Sequence, residues 1–407
     1  MDVIEEEEIE EKPEPIPPGQ QLMSALRRAF LYRPSLVNHQ GGFRYWLPWT
    51  LIIGNLSFHV IRFLIGSVSP EVGLKMGNYH NVHGLAGQMI SGSGVIYFSL
   101  ILYFHVRLIV LEDIPFIHEL VAYDNPEHET ILSGEYRTKV ITFITKVVKI
   151  LKIFEYAIYL CLITIFVAAV VIPITILGFS IGNILFWFIV SIPHLTMSYY
   201  TGLNWIYVLG VWFLCKGHLD IQADSVIDNI DDSIRLKTHI NIIRVANLDI
   251  EYKKLLIRVK KFDCLSKDLI SPYRLVVSYF GAIALFATRQ SGILFFEIGL
   301  DAIIISLYLV SLVFLYSSGS LSIRRRKMYK VANSLFVKMS RQRPVPCRSL
   351  FILSRMIKSL GSDDSPSICL TDKSGDEFDP MDFVVFIADF IANFFLVASL
   401  YFDFVKE

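Results

Sequence analysis

Long runs of apolar residues dominate the hydropathy pattern of the chain. Seven such runs lie at 45–67, 85–111, 153–179, 185–215, 272–288, 293–316 and 383–402. A helix of roughly 20 apolar residues is long enough to cross the hydrocarbon layer of a bilayer. Because backbone N–H and C=O groups find no water in that layer, spanning segments must be helical. The pattern therefore predicts an all-α membrane protein with seven transmembrane helices.

The fourth run is the least regular of the seven. Pro193 and the polar residues 198–201 interrupt it. Proline is tolerated in membrane helices but usually kinks them. Two interpretations stay open: one long kinked helix, or a short interfacial segment followed by a helix from about residue 200.

Two long segments between the apolar runs, 217–270 and 319–380, carry a different pattern. Apolar residues recur there every three or four positions, as in Val245, Leu248, Tyr252 and Leu255. This period indicates amphipathic helices. Helices lying on the inner membrane surface are one interpretation. The mixed charge on both faces favours a helical bundle beneath the membrane instead, because surface helices usually have a purely basic polar face.

The distribution of lysine and arginine predicts the orientation. Basic residues are frequent in the segments after the second, fourth and sixth runs, whereas the other connections and the C-terminus hold only Lys75, Arg289 and Lys406. Because basic loops stay in the cytoplasm, we expect an N-terminus inside and a C-terminus outside. The predicted organisation is a cytoplasmic N-terminal segment 1–44, helices one to four in 45–216, a cytoplasmic anchor 217–270, helices five and six in 271–318, a cytoplasmic segment 319–380 and helix seven with the C-terminus in 381–407.

Composition agrees with this picture and adds one detail. Of the 407 residues, 53% are hydrophobic and only 19% are charged, against about a quarter charged in soluble domains. Residues 1–20 are acidic and rich in proline. Such a composition cannot build a core, so we expect that segment to be disordered.

The seventh run carries polar residues on one helical face. Asp382, Asp389, Asn393 and Leu400 follow one another at spacings of seven, four and seven residues, with Leu396 on their flank. Carboxylates in membrane helices are costly and are by default functional candidates. Several copies of this helix around an axis would form stacked acidic rings, which favour cations. The alternative is one carboxylate paired with a basic residue and one at the helix start.

A second group of polar and aromatic residues predicts a pocket that opens outward. Pockets for small molecules are mostly aromatic with a few polar groups. The candidates come from the sixth and fourth runs and are Glu297, Asp301, Tyr199, Tyr200, Trp205, Tyr207 and His194. The alternative is that the aromatic residues form an interfacial belt with solvated carboxylates beside it.

Motifs for other functions are missing from the sequence. It contains no phosphate-binding loop, nucleophile elbow or cluster of histidines, so we expect no enzyme activity, no cofactor and no metal site. The five cysteines show no zinc-site spacing. The basic stretch 324–327 adjoins a membrane helix, which explains it by contact with anionic lipid and without nucleic acid.

The last fifty residues carry a resemblance to a known family. A helix ends near Ser359 and Leu360, and the loop 367–371, Gly375 and Phe378 precede the last helix. The insect-type gustatory and odorant receptors usually have Thr-Tyr, five hydrophobic residues and Gln-Phe in that helix. The corresponding residues here are Asn393-Phe394, five residues 395–399 and Leu400-Tyr401. The chain therefore resembles a divergent gustatory receptor, and the length and predicted orientation agree.

The resemblance implies a chemosensory receptor of the plasma membrane that is itself a ligand-gated cation channel. It implies a homo- or hetero-tetramer, a pore lined by the seventh helix, a small-molecule tastant or odorant, and Na⁺, K⁺ and Ca²⁺ as permeant ions. Because the family's Gln is missing here, the resemblance does not say which residues form the gate. Leu396 and Leu400 are candidates for closing the pore by dewetting.

Two other classes of membrane protein compete with this interpretation. A secondary transporter would show inverted repeats and paired broken helices. Only the irregular fourth run resembles a broken helix. A G-protein-coupled receptor would place the basic segments on the wrong side of the membrane. The Asp-Arg-Tyr and Asn-Pro-x-x-Tyr motifs of that class are also missing.

Overall fold

A computed structural model of the protein describes most of the chain. The described residues are 16–28, 43–69, 72, 85–110, 117–123, 132, 134–177, 180–235, 242–290, 294–342, 346–361, 368–371, 376–379 and 381–406. The ten helices within them are α1 (Pro18–Arg28), α2 (Phe43–Val68), α3 (Leu85–Val110), α4 (Ile117–Ala122), α5 (Gly134–Leu177), α6 (Ile181–Arg235), α7 (Ile242–Gln290), α8 (Leu294–Ser340), α9 (Cys347–Gly361) and α10 (Asp382–Lys406).

Each of the seven apolar runs lies largely within one helix. They correspond in order to α2, α3, α5, α6, α7, α8 and α10. Four stretches are long and apolar enough to cross a bilayer, counting described residues only: Trp49–Val68, Ile242–Ala287, Ile304–Ser340 and Asp382–Leu400. The prediction of an all-α protein with several membrane-spanning helices is confirmed.

The irregular fourth run forms a single helix. Helix α6 is 55 residues long and contains Pro193 in its interior. Of the two interpretations from the sequence, the structure shows the one with a long continuous helix. Proline is compatible with such a helix because neighbouring groups satisfy the carbonyl that it leaves free.

Four helices extend far beyond their apolar runs. Helices α5, α6, α7 and α8 have 44, 55, 49 and 47 residues. At 1.5 Å per residue the longest measures roughly 80 Å, more than twice the hydrocarbon thickness. The expected boundaries near residues 216, 270 and 318 fall inside these continuous helices. Residues 217–235, 242–270 and 319–340 of the predicted cytoplasmic segments are thus direct extensions of the membrane helices, whereas α9 is a separate helix.

Helix α6 occupies the centre of the bundle. It packs against α2, α3, α5, α7 and α8. At its middle, the indole of Trp212 lies 4.4 Å from the ring of Phe314 on α8 and 5.7 Å from Phe262 on α7, measured between centroids. The indole Nε1 also donates a hydrogen bond of 3.0 Å to the Ser266 hydroxyl on α7. One buried residue thereby joins three helices.

Ion pairs connect the extensions of α6 and α8. Lys216 is 1% exposed, and its ammonium lies 2.6 Å from the carboxylate of Asp220 and also donates to Ser320. Arg324 reaches Asp220 at 3.2 Å and Asp224 at 2.9 Å. Because breaking a buried pair leaves an unpaired charge, this group fixes the two extensions against each other.

The N-terminal helix packs against two other helices of the bundle. Leu22, Ala25 and Leu26 are at most 1% exposed, and α1 contacts α4 and α5. This helix begins at Pro18, inside the segment 1–20 for which disorder was expected. Residues 1–15 lie outside the described part of the chain.

Candidate functional site

Among the described residues, the cover of helix α10, the candidate pore helix, comes from one side. It packs against α7 and α8, and Phe386 is its fully buried contact at 0% exposure. Only 6% of its apolar stretch is buried within the chain. Leu396 and Leu400, the candidate gate residues, are 55% and 61% exposed. A large apolar face with a few polar groups is thus left for lipid or for another protein surface.

Asp382 lies at the start of α10. Its carboxylate accepts a hydrogen bond of 2.9 Å from the backbone N–H of Asp379, three residues earlier. An acidic side chain in the first turn also interacts favourably with the positive end of the helix dipole. Asp382 therefore stabilises the beginning of the helix. This matches the alternative prediction from the sequence, in which one carboxylate lies at the helix start.

Asp389 and Asn393 both contact α7. The Asp389 carboxylate lies 3.1 Å from the Arg274 guanidinium, and the Asn393 side-chain amide donates a hydrogen bond of 2.9 Å to the Ser278 hydroxyl. The alternative in which a basic residue pairs with Asp389 matches this geometry. The Asp389 side chain nevertheless remains 51% exposed, so it also faces the open side of the helix.

The predicted pocket residues occupy several local environments. Asp301 is 7% exposed and pairs with Arg289 at 2.7 Å. The indole of Trp205 stacks on Phe104 at 5.3 Å between centroids, with 7° between the planes. The side chains of Glu297 and His194 lie outside the described part of the structure.

The tyrosine candidates gather around an acidic residue that the pocket prediction omits. Glu155 on α5 is 8% exposed and accepts hydrogen bonds from Tyr207 at 3.4 Å and Tyr199 at 3.5 Å. The hydroxyls of Tyr199 and Tyr159 lie 2.8 Å apart, and the ring of Tyr200 packs edge-on against Tyr199. Glu155 is the only acidic residue in the run 153–179, a signal that would have identified it.

A small apolar cavity lies at the centre of the bundle. Its volume is about 10 Å³, which is about the size needed for one water molecule. Ligand pockets for small organic molecules measure roughly 300–1,000 Å³, so the cavity must widen before it holds one. It is lined by Phe104, Val208, Leu209, Trp212, Leu269, Ile270, Tyr273 and Phe314.

The described residues contain no group of three His, Cys, Asp or Glu side chains placed to hold a metal ion. Four of the five cysteines, Cys215, Cys264, Cys347 and Cys369, carry free thiols.

Two solved structures resemble the chain over nearly its full length. The insect olfactory receptor OR5 from Machilis hrabei in complex with eugenol superposes with a TM-score of 0.59 at 11% identity, covering 94% of this chain and 97% of that one. The chain has the fold of an insect olfactory receptor. A second structure of OR5 gives a TM-score of 0.57 at 11% identity, with coverage of 93% and 96%.

The olfactory receptor fold confirms the resemblance found in the sequence. No protein-family model matches the sequence, and no curated protein matches it. The likeness is therefore one of three-dimensional arrangement, at an identity too low to carry over any individual residue.

Proposed function

We propose that the chain is a chemosensory receptor, of gustatory type, that acts as a ligand-gated cation channel of the plasma membrane. The observation that carries the proposal is the olfactory receptor fold over 94% of the chain. The exposed polar and apolar face of α10 supports it, because that face needs a partner other than this chain. The N-terminus is proposed to lie inside and the C-terminus outside.

The proposed pore forms where copies of α10 meet around a common axis. Four copies, identical or mixed with a related chain, would place Asp382 and Asp389 in rings that attract Na⁺, K⁺ and Ca²⁺. Asn393 would add a polar surface above them. Leu396 and Leu400, both more than half exposed, would close the pore by dewetting.

The proposed ligand is a small organic tastant or odorant bound among the membrane helices. OR5 was solved in complex with eugenol, and a molecule of that class suits an aromatic pocket. We propose a pocket between α6 and α8, the fourth and sixth membrane helices, with Tyr199, Tyr200, Trp205, Tyr207, His194, Glu297 and Asp301 as its residues. Binding shifts the channel toward an open state only if the ligand binds that state more tightly.

A secondary transporter is the main alternative. It would move a solute without a ligand-evoked ion current, and the apolar interior of the bundle would then hold the solute. A G-protein-coupled receptor is disfavoured by the charge bias of the connecting segments.

Current recording from cells that express the chain tests the proposal. We expect a panel of small organic molecules to include one that evokes a cation current. Asp389→Ala should lower the permeability of cations relative to anions, because it removes the exposed carboxylate from the pore wall. Glu135→Ala is the matched control, since Glu135 is 77% exposed and pairs with Lys139 on α5.

Two outcomes would contradict the proposal in different ways. Saturable solute uptake without any evoked current would identify a transporter. A current with unchanged ion selectivity in Asp389→Ala would remove Asp389 from the pore.

A further inference from the structure

Helices α7 and α10 touch through two polar contacts one helical turn apart. Arg274 on α7 pairs with Asp389 on α10 at 3.1 Å, and Ser278 accepts a hydrogen bond from Asn393 at 2.9 Å. Each member of the second contact lies four residues after its counterpart in the first. The two helices therefore run parallel, and Arg274 has a fixed position beside the candidate pore helix.

The Arg274 guanidinium is held on more than one side. Besides Asp389, it lies 6.0 Å from the centroid of the Phe386 ring, at a distance where a cation is attracted to an aromatic face. Phe386 is completely buried between the helices. Its ring thus contacts the arginine from the buried side of the helix pair.

The ion pair is only partly covered by the chain. The side chains of Arg274 and Asp389 are 31% and 51% exposed. Asp389 lies seven residues into α10, which is about 10 Å along the helix. Charged groups at such a depth are costly against lipid and usually face a bundle interior or a water-filled cavity. The exposed side of this pair therefore belongs to an aqueous surface or to a second copy.

We infer that Arg274 limits the cation preference of the channel, by neutralising Asp389 at the wall of the pore. The inference rests on the proposed channel function and adds a residue from a neighbouring helix to the pore. Each subunit then contributes one positive and one negative charge at this level, so the ring has no net charge. Cation preference must come mainly from other groups, and it rises when the arginine is removed.

The charge balance predicts opposite effects for the two single substitutions. Arg274→Gln leaves Asp389 unpaired and should raise the permeability of Na⁺ relative to Cl⁻. Asp389→Asn leaves Arg274 unpaired and should lower that ratio. One unit charge at about 6 Å from an ion in water changes the local ion concentration about threefold, so each ratio should change by at least about that factor. The double variant restores a neutral ring and should return to the wild-type ratio.

Reversal potentials under Na⁺ and Cl⁻ gradients measure these ratios in cells that express each variant. Arg274→Lys keeps the positive charge and should keep the wild-type ratio. If Arg274→Gln fails to reach the membrane, the comparison of Asp389→Asn with the double variant still isolates Arg274, because the two differ only at that position.

The possible results distinguish a failure of the role of Arg274 from a failure of the proposed channel function. Evoked currents with the same permeability ratio in Asp389→Asn and the double variant would overturn the role of Arg274 and leave the channel intact. The absence of evoked current in the wild type, with solute uptake in its place, would overturn the proposed channel and the inference together.

Discussion

A buried histidine illustrates how single residues fix the extensions. His218 on α6 is 0% exposed, and its Nε2 lies 3.4 Å from the guanidinium of Arg258 on α7. The same arginine forms two bonds of 2.6 Å to Glu119 on α4, and the ring of Tyr123 packs edge-on against the imidazole. Burial, and secondly the charge of Arg258, lower the pKa of His218 to about 3. The imidazole is therefore neutral in the folded protein near neutral pH.

This lowered pKa makes stability depend on pH. The unfolded chain binds a proton at His218 below its ordinary pKa of about 6.5, whereas the folded chain binds it only near pH 3. Stability contributed by the neutral imidazole is thus lost as the pH falls through this window. At about pH 5 the loss amounts to about 2 kcal/mol. The unfolding midpoint of purified protein in detergent should fall less on acidification in His218→Gln than in wild type.

His118→Gln is the matched control, because His118 is an exposed histidine on α4. It should follow the wild-type response to acid. Equal responses in wild type and in His218→Gln would show that His218 is not held neutral by burial.

Individual polar residues of the site are visible in the sequence, whereas the residues that they contact on other helices are not. The polar face of α10 was visible because Asp389 and Asn393 recur at helical spacing. Arg274 was not, since it lies more than 100 residues away in the chain and only tertiary packing brings it to Asp389. Likewise the spacing of Tyr199 and Tyr207 does not show that both hydroxyls point at Glu155 on another helix.

The packing of helices α5 and α6 depends on two glycines. At Gly210 on α6, a methyl group would lie 2.6 Å from a terminal carbon of Leu151, and at Gly217 it would overlap the ring of Phe143. Leu151 is 4% exposed and so has little room to move. The two helices approach closely because these positions lack a side chain, as at other small-residue interfaces in membranes.

Gly210→Ala should therefore destabilise the protein relative to Gly94→Ala. Nothing lies within 4 Å of the methyl position at Gly94 on α3, so that variant gains helix propensity without a clash. Overpacking at Gly210 should exceed this gain, for a difference of about 2 kcal/mol between the two variants. Thermal unfolding in detergent measures it, and equal stability of the two variants would show that α5 and α6 do not pack this closely.

At the scale of elements, the apolar runs predicted where membrane helices lie but not how far they extend. The run 185–215 and the amphipathic pattern near Ile227 and Ile230 belong to one helix, α6. The hydropathy of the sequence changes at the membrane boundary, whereas the backbone stays helical across it. Continuity through Pro193 was equally undecided, because proline sets a local constraint and packing against five neighbouring helices determines the outcome.

The relative direction of the membrane helices follows from contacts between them. The matched contacts at Arg274 and Ser278 show that α7 and α10 run in the same direction. One membrane helix, α8, lies between them in the sequence and returns the chain across the layer. The resemblance in the last fifty residues led to the correct fold. A pocket was harder to predict, because it depends on which side chains converge and on the state of the bundle.

The orientation of the whole molecule in the membrane is predicted from the charges of its connecting segments. Basic segments after the second, fourth and sixth runs indicate a cytoplasmic N-terminus and an outside C-terminus. A glycosylation tag after Glu407 should become modified, and the same tag before Met1 should not. Modification of neither tag would mean an even number of crossings and a structure unlike the proposed receptor.

We propose above all that copies of this chain form a channel with α10 at its axis. Single-particle cryo-electron microscopy of the full chain in lipid nanodiscs tests it without any ligand. We expect four copies around one axis, with Asp389, Leu396 and Leu400 facing a central pathway. A monomer, or an assembly whose α10 helices all face lipid, would contradict it.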